Sequence, residues 1–303
     1  MNIESVSIMN PIAPQLQRHP LGFFQIAPLP SQEELEKYYR DQYFQAPTVT
    51  TYSRKYSQEE LTIHQVACDV ADHIFEIERP DGQKTVFDIG CGEGFFLKGM
   101  KSLGWNVSGT DYSSEGVTNH NPELLPDIKF GSALEIIEQV RKTNRQFGLV
   151  NLGNILEHVL DPLAFLESVR PLLGADSLLR VVVPNDASEF QTLLESLGCT
   201  GRPWIHPPDH LSYFNFDCLP AVLASCRFTP IRMLGDFPIE LYLLNKYSNY
   251  DLDKSRGPEA HLARVRTVHF VRSRGIANYV RWAEGLAAGA VARSCIAFAK
   301  LAD

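Results

Sequence analysis

The run Asp88-Ile89-Gly90-Cys91-Gly92-Glu93-Gly94 constrains this chain more than any other feature. It ends a short apolar stretch at residues 85–89 and opens a helical pattern at 95–103. Glycine at alternate positions suits a turn whose backbone takes positive φ, or lies against a ligand with no Cβ between them. A strand, a glycine turn and a helix in that order is the first unit of an open α/β sheet with a ligand crevice at its strand ends.

The rest of the chain continues the alternation. Further apolar runs at 106–110, 128–131, 148–152 and 178–183 are separated by amphipathic stretches, among them 162–173, as β-α-β units on a mostly parallel sheet require. Two more strand candidates, 231–234 and 295–299, flank an insertion with helical patterns at 260–270 and 276–287. Residues 1–30 are proline-rich and aperiodic and read as an irregular arm. Ser31 with Glu34, and Ser57 with Glu60, are capping-box pairs that predict two helix starts before the sheet. The expected division is an arm and helix over 1–56, a binding core over 57–243, and a helical insertion with the final strand over 244–303.

Spacing in the loop bears on the ligand. A dinucleotide fingerprint places its third glycine one residue later, where Phe95 stands here. Asp88 would crowd a pyrophosphate, whereas a carboxylate there suits a ligand carrying an ammonium group, as S-adenosylmethionine does. Asp111 closes the second strand, where an acid accepts from ribose hydroxyls; by itself it also reads as a turn or helix-cap residue. Tyr112 stands where a ring can lie against adenine, or can simply be half-buried.

These segments resemble the class I S-adenosylmethionine-dependent methyltransferases. The resemblance extends through Gly131-Ser132-Ala133, the strand Phe147-Gly148-Leu149-Val150, and Ile155-Leu156-Glu157-His158-Val159-Leu160-Asp161-Pro162. It ends with Val183-Pro184-Asn185 and Asp209-His210-Leu211-Ser212-Tyr213-Phe214, as in the family's bacterial small-molecule branch. It implies a Rossmann-like, doubly wound seven-stranded sheet with an N-terminal helical lid. It also implies cofactor contacts from Asp88, Gly90, Gly92, Gly94, Asp111, Tyr112, Ser132, Ala133, Leu152 and Asn154. Ser132 and Asn154 depart from the family, which commonly carries acids at both positions.

Methyl transfer from a sulfonium depends mainly on positioning, and a base is needed when the acceptor must lose a proton. His158 is the first candidate for that base, with helix-start packing as its other reading. His210 is the second, as a loop contact to substrate, with plain loop structure as its other reading. Glu157 reads as a surface or salt-bridge residue, with a catalytic role as the alternative. His206 and His210 have a metal-pair spacing, but Pro207 and Pro208 between them prevent a shared helix, and no metal is expected. Tyr39, Tyr43, Tyr52 and Tyr56 are candidates for lining the lid, or for ordinary packing, and Arg264, Arg266 and Arg272 for meeting an anionic substrate or only water.

A net charge of −8, without clustered Lys and Arg, argues against a nucleic-acid partner. No apolar run is long enough to span a membrane, so the expected location is the cytoplasm. Six scattered cysteines show no zinc or redox spacing. The expected activity is methyl transfer to oxygen, carbon or nitrogen of a small molecule, a sugar being one candidate, with S-adenosylhomocysteine as product. A regulatory protein that binds the cofactor without turnover, and a nicotinamide-dependent oxidoreductase, are the competing readings.

Overall fold

A computed structural model describes residues 15–38, 55–205 and 207–302. Tyr39, Tyr43, Tyr52 and His206 lie outside them.

The chain opens with strands β1 (Gln15–Arg18) and β2 (Phe24–Ala27), helix α1 (Gln32–Tyr38) and helix α2 (Gln58–Glu78). Both capping boxes form. The Ser31 amide donates to Glu34 at 2.8 Å and the Ser57 amide to Glu60 at 2.7 Å, and each serine hydroxyl accepts the return bond. Then follow β3 (Thr85–Ile89), α3 (Phe95–Ser102), β4 (Asn106–Asp111), α4 (Glu115–His120), β5 (Ile128–Phe130) and α5 (Ala133–Arg141). The second half runs β6 (Phe147–Gly153), α6 (Pro162–Val169), β7 (Leu173–Pro184), α7 (Glu189–Ser196), β8 (Ser212–Tyr213), α8 (Leu219–Ser225) and β9 (Phe228–Gly235). It closes with α9 (Gly257–Ser273), α10 (Ile276–Ala288) and β10 (Ser294–Leu301).

All seven expected core strands join one sheet, in the order β5-β4-β3-β6-β7-β10-β9. The strands from β5 to β7 pair in parallel, and β10 runs antiparallel to both its neighbours. The chain leaves β3 toward β4 and β5, then returns to lay β6 on the other side of β3. That reversal splays the loops after β3 and β6 apart and opens a crevice at their carboxyl ends, where ligands bind in doubly wound sheets.

Apolar helix faces cover both sides of the sheet. One core gathers α5, α6 and α8 around Phe147, Leu166 and Val181; the other gathers α2, α3 and α10 around Phe75, Leu97 and Phe298. The insertion belongs to the second side. Arg272 on α9 grips Asp69 of α2 at 2.8 Å, and His261 meets Glu60 at 2.9 Å.

Two expectations need correction. The arm is not wholly irregular, because β1, β2 and β8 form a small antiparallel sheet in which Phe24 pairs with Tyr213. The helix expected over 162–173 stops at Val169, and a 3-10 turn at Arg170–Leu172 leads into β7. Pro171 explains this, since it has no amide to donate and its ring clashes with the carbonyl one turn back.

Candidate functional site

A cavity of about 410 Å³ opens at the crevice. Gly90, Asp111, Tyr112, Gly131, Ser132, Ala133, Asn154 and His158 line it from the strand ends. Gln32 and Leu35 of α1 close one side, and Ile155, Val159, Leu160 and Phe165 close another. Six of the ten expected cofactor contacts therefore meet in one space, together with the first candidate base.

The glycine loop is shaped by its amides. Gly90 and Cys91 both donate to the Thr110 carbonyl, at 2.8 and 3.1 Å, which folds the loop back over β4. Gly90 has a φ of +74°, and a Cβ there would come 2.7 Å from Cδ1 of Ile155. Glycine there avoids both a strained left-handed side-chain residue and a clash with the Ile155 side chain at the cavity wall. Gly92 and Gly94 also have positive φ, but they shape the loop and do not line the cavity. Gly92 donates to Asp111 Oδ2 at 2.8 Å, and Gly94 caps the start of α3.

Asp111 is tied down as well as exposed to the cavity, since Oδ1 accepts from the Ser113 amide at 3.1 Å. Each of its oxygens has one anchoring amide and a further lone pair to offer hydroxyls. Burial raises its carboxyl, and the amides of Ser113, Gly92 and Tyr112 oppose that rise.

Asp88 departs from expectation. It is 2% exposed and turned into the sheet, where Oδ1 accepts from Asn151 Nδ2 at 2.6 Å. Asn151 Oδ1 in turn accepts from Arg180 at 2.7 Å, and the Arg180 guanidinium lies over the Phe96 ring. Burial pushes the Asp88 carboxyl up to about 7, with Asn151 and Arg180 opposing and Asp111 adding to the rise. Burial likewise brings Arg180 down to about 10. The side chain of Asp88 thus supports the loop from beneath. Leu152 is also no lining residue; it is fully buried in the core under β6.

His158 reaches the cavity from a 3-10 turn (Leu156–His158) after β6. Its Nδ1 stands 2.6 Å from the backbone oxygen of Asp209. A carbonyl only accepts, so Nδ1 carries a proton, and in the neutral ring Nε2 is the basic nitrogen. Nε2 is 3.8 Å from Oε1 of Glu157. His210 does not line this cavity but packs against His158, with ring centroids 4.9 Å apart at 82°.

Glu157 is not at the surface, the first of its two sequence readings, although it does pair with His158. It is 1% exposed, and among the described residues neither carboxylate oxygen takes part in a hydrogen bond. Burial pushes its carboxyl up to about 8, and the charges of Asp186 and Asp209 contribute to that rise. One oxygen of Glu157 and one nitrogen of each of His158 and His210 lie within 4.8 Å of one another. Asn151, Arg180 and Asp186 were missed too. Arg180 left a signal, being a charge in the middle of the apolar run Leu178-Leu179-Arg180-Val181-Val182-Val183.

Among the remaining candidates, the Tyr56 hydroxyl donates to Glu93 of the glycine loop at 2.7 Å. Arg272 is committed to Asp69, Arg264 contacts His261 at 3.1 Å, and Arg266 is exposed. Burial pushes the Cys91 thiol up, so it sits in the loop as a small neutral filler. No helix among the described residues is long and apolar enough to cross a membrane.

Comparison with known proteins adds to this geometry. Residues 62–223 match the family model described as methyltransferase domain. A ubiquinone biosynthesis O-methyltransferase of Actinobacillus pleuropneumoniae is 31% identical over 102 residues, covering 32% of this chain and 44% of that protein. One from Caulobacter vibrioides is 28% identical over 161 residues, covering 51% and 62%. The chain thus spans about half the length of the curated relatives it matches. Two solved structures share the fold at 14% identity. The plantazolicin methyltransferase BamL, in complex with a triazolic desmethylPZN analog and SAH, aligns with TM-score 0.54 over 89% of this chain and 97% of its own. The 1,6-didemethyltoxoflavin-N1-methyltransferase of Burkholderia thailandensis, with bound 1,6-didemethyltoxoflavin and S-adenosylhomocysteine, aligns with TM-score 0.53 over 96% and 100%.

Proposed function

This chain belongs to the methyltransferase domain family, and from that premise we propose that it transfers a methyl group from S-adenosylmethionine to a hydroxyl of a small molecule, with His158 as the base. The observation that carries the reading is the 2.6 Å contact of His158 Nδ1 with the Asp209 carbonyl, which leaves Nε2 as the basic nitrogen of a ring that lines the cavity. The names of the sequence relatives, both O-methyltransferases, favour oxygen over carbon or nitrogen as the acceptor atom.

The cavity suits the cofactor. Its volume of about 410 Å³ is in the range of small-molecule sites, and Gly90 lines it with backbone alone. Asp111 would take the ribose hydroxyls on its remaining lone pairs. Tyr112, Ala133 and Leu134 would flank the adenine, and Asn154 and Gly90 would border the methionine end. When bound, the cofactor supplies a methyl group on a sulfonium, whose departure leaves a neutral thioether.

The protein's own part is to align, dehydrate and deprotonate. Leu35, Val159, Leu160 and Phe165 give the cavity apolar walls that exclude water. His158 Nε2 takes the acceptor's hydroxyl proton while Nδ1 stays bonded to Asp209, so the ring becomes an imidazolium without turning.

The test is isothermal titration with S-adenosylmethionine and S-adenosylhomocysteine, followed by an S-adenosylhomocysteine-release screen against catechols, phenols, sugars and amines. Binding with turnover on a hydroxyl acceptor is the expected result. Binding without any turnover favours a regulatory protein, and preference for NAD overturns the reading.

A further inference from the structure

His210 lies behind His158, and the groups behind His210 are arranged more strictly than a loop needs. The chain leaves β7 through Pro184 and Asn185 to Asp186, whose amide donates to the Phe214 carbonyl at 2.7 Å. The Asp186 carboxylate is 1% exposed and asymmetrically loaded. Oδ1 accepts from Arg293 at 2.6 Å and from Gln191 at 3.1 Å. Gln191 is itself held by Glu240 at 3.0 Å, and Arg293 stands 3.7 Å from that same carboxylate. With both donors on one oxygen, Oδ2 faces Nδ1 of His210 at 3.7 Å. Among the described residues, His158, Glu157 and, at 6.3 Å between centroids, Tyr213 also stand about the ring, and the Tyr213 hydroxyl donates to the His210 carbonyl at 3.1 Å.

We propose that Asp186 is a positioning residue for methyl transfer: its Oδ2 fixes His210 as the Nδ1–H tautomer and sets its ring plane, and His210 in turn holds His158 against the cavity. This rests on the reading of His158 as base. A separation of 3.7 Å is longer than a closed hydrogen bond, and such bonds in free enzymes tighten when substrate binds. The electrostatics agree with a fixed carboxylate. Burial alone would raise the Asp186 carboxyl, yet Arg293 and then His210 hold it below its ordinary value. The logic is that of a buried acid that orients a histidine without itself gaining a proton.

Asp186→Asn tests it sharply. The amide oxygen of the new side chain must face Arg293 and Gln191, because both donate, and this turns its NH2 toward Nδ1 of His210. A donor at that position forces the neutral ring into the Nε2–H tautomer. Long-range proton–nitrogen correlation spectra of protein labelled at its nine histidines read this directly, with His158→Gln and His210→Gln giving the assignments. The expected result is Nδ1–H for His210 in the parent protein and Nε2–H in Asp186→Asn. S-adenosylmethionine affinity should change less than about twofold, while kcat on the best acceptor of the screen should fall at least about tenfold, with a displaced pH profile. An Nε2–H His210 in the parent protein overturns the proposal, and that spectrum decides even if the variant fails to fold. An unchanged tautomer or an unchanged pH profile in Asp186→Asn also overturns it. Failure of the base assignment is a separate result, shown by His158→Gln turning over like the parent.

Discussion

Asp88, Asn151 and Arg180 form one polar rung across three adjacent strands, because Asp88 is the register partner of Asn151 on β6 and Asn151 that of Arg180 on β7. The carboxylate and the guanidinium are joined through a single amide, at 2.6 and 2.7 Å. Replacing Asn151 with Leu leaves both ionisable groups buried without that partner. Leaving buried polar groups unpaired costs about 1–3 kcal/mol each, more when charged. Asn151→Leu is therefore expected to lose about 3 kcal/mol or more, read as a fall in unfolding free energy by urea titration. A loss under about 1 kcal/mol would mean that the rung is incidental.

The buried carboxyl of Glu157 makes stability depend on pH in an unusual direction. Its folded value near 8 lies above the ordinary 4.5, so the folded state keeps this proton after the unfolded chain has released it. The contribution is fully present below about pH 4.5 and is lost as pH rises through 8. Asp88, raised to about 7, slopes the same way over its own window. Glu157→Gln removes the first part. Calorimetric melting temperatures between pH 5 and 8.5 should fall less steeply in Glu157→Gln than in the parent, by an amount on the order of a few kcal/mol at the alkaline end. Parallel curves would show that Glu157 does not titrate in this way.

Gly90 carries a prediction about the cofactor. Gly90→Ala meets two obstacles, a left-handed backbone at φ +74° and contact with Ile155 at 2.7 Å. Strain of this kind costs about 1–3 kcal/mol. S-adenosylmethionine affinity should fall about tenfold or more, since relief of the contact displaces Ile155 at the cavity wall. Adding Ile155→Ala removes the contact but keeps the backbone cost, so the double variant should recover part of the affinity and none of the strain. Equal affinities for Gly90→Ala and the parent, by titration calorimetry, would place the ligand elsewhere.

The strands of the core sheet were legible because each buried strand is a short apolar run bounded by turn residues, and the crevice followed from strand order. Gly90, Asp111 and His158 were legible for a similar reason, since each lies within a few residues of a strand end. What stayed hidden depends on distant pairing. β1 reads Gln-Leu-Gln-Arg, with no apolar alternation, and becomes a strand only because β2 and β8 complete its sheet. Asp186 and His210 are brought together by the return of the chain through Phe214, and local periodicity cannot show that. Glu157 looked like a surface acid because charge usually means exposure; here the Leu211 amide, donating to the Glu157 carbonyl at 2.8 Å, brings the loop down over it.

Leu35 is an apolar anchor of the cover over the cavity. Leu35 is 7% exposed, lines the cavity, and packs with Ile26, Leu211 and Tyr213 in a small core of their own. That core is a cluster distinct from the two that flank the main sheet, so its loss should be felt locally. Leu35→Ala removes about 2 kcal/mol or more of packing. Amides of α1 should then exchange with solvent about tenfold faster or more, while those of β3 and β6 keep their protection. The KM for S-adenosylmethionine should rise several-fold as the wall over the cavity loosens, with kcat less affected because His158 is held from the Asp209 side. Uniformly faster exchange across β3, β6 and α1 together would show that the cover and the core unfold as one body, and that Leu35 stabilises the whole molecule rather than the lid.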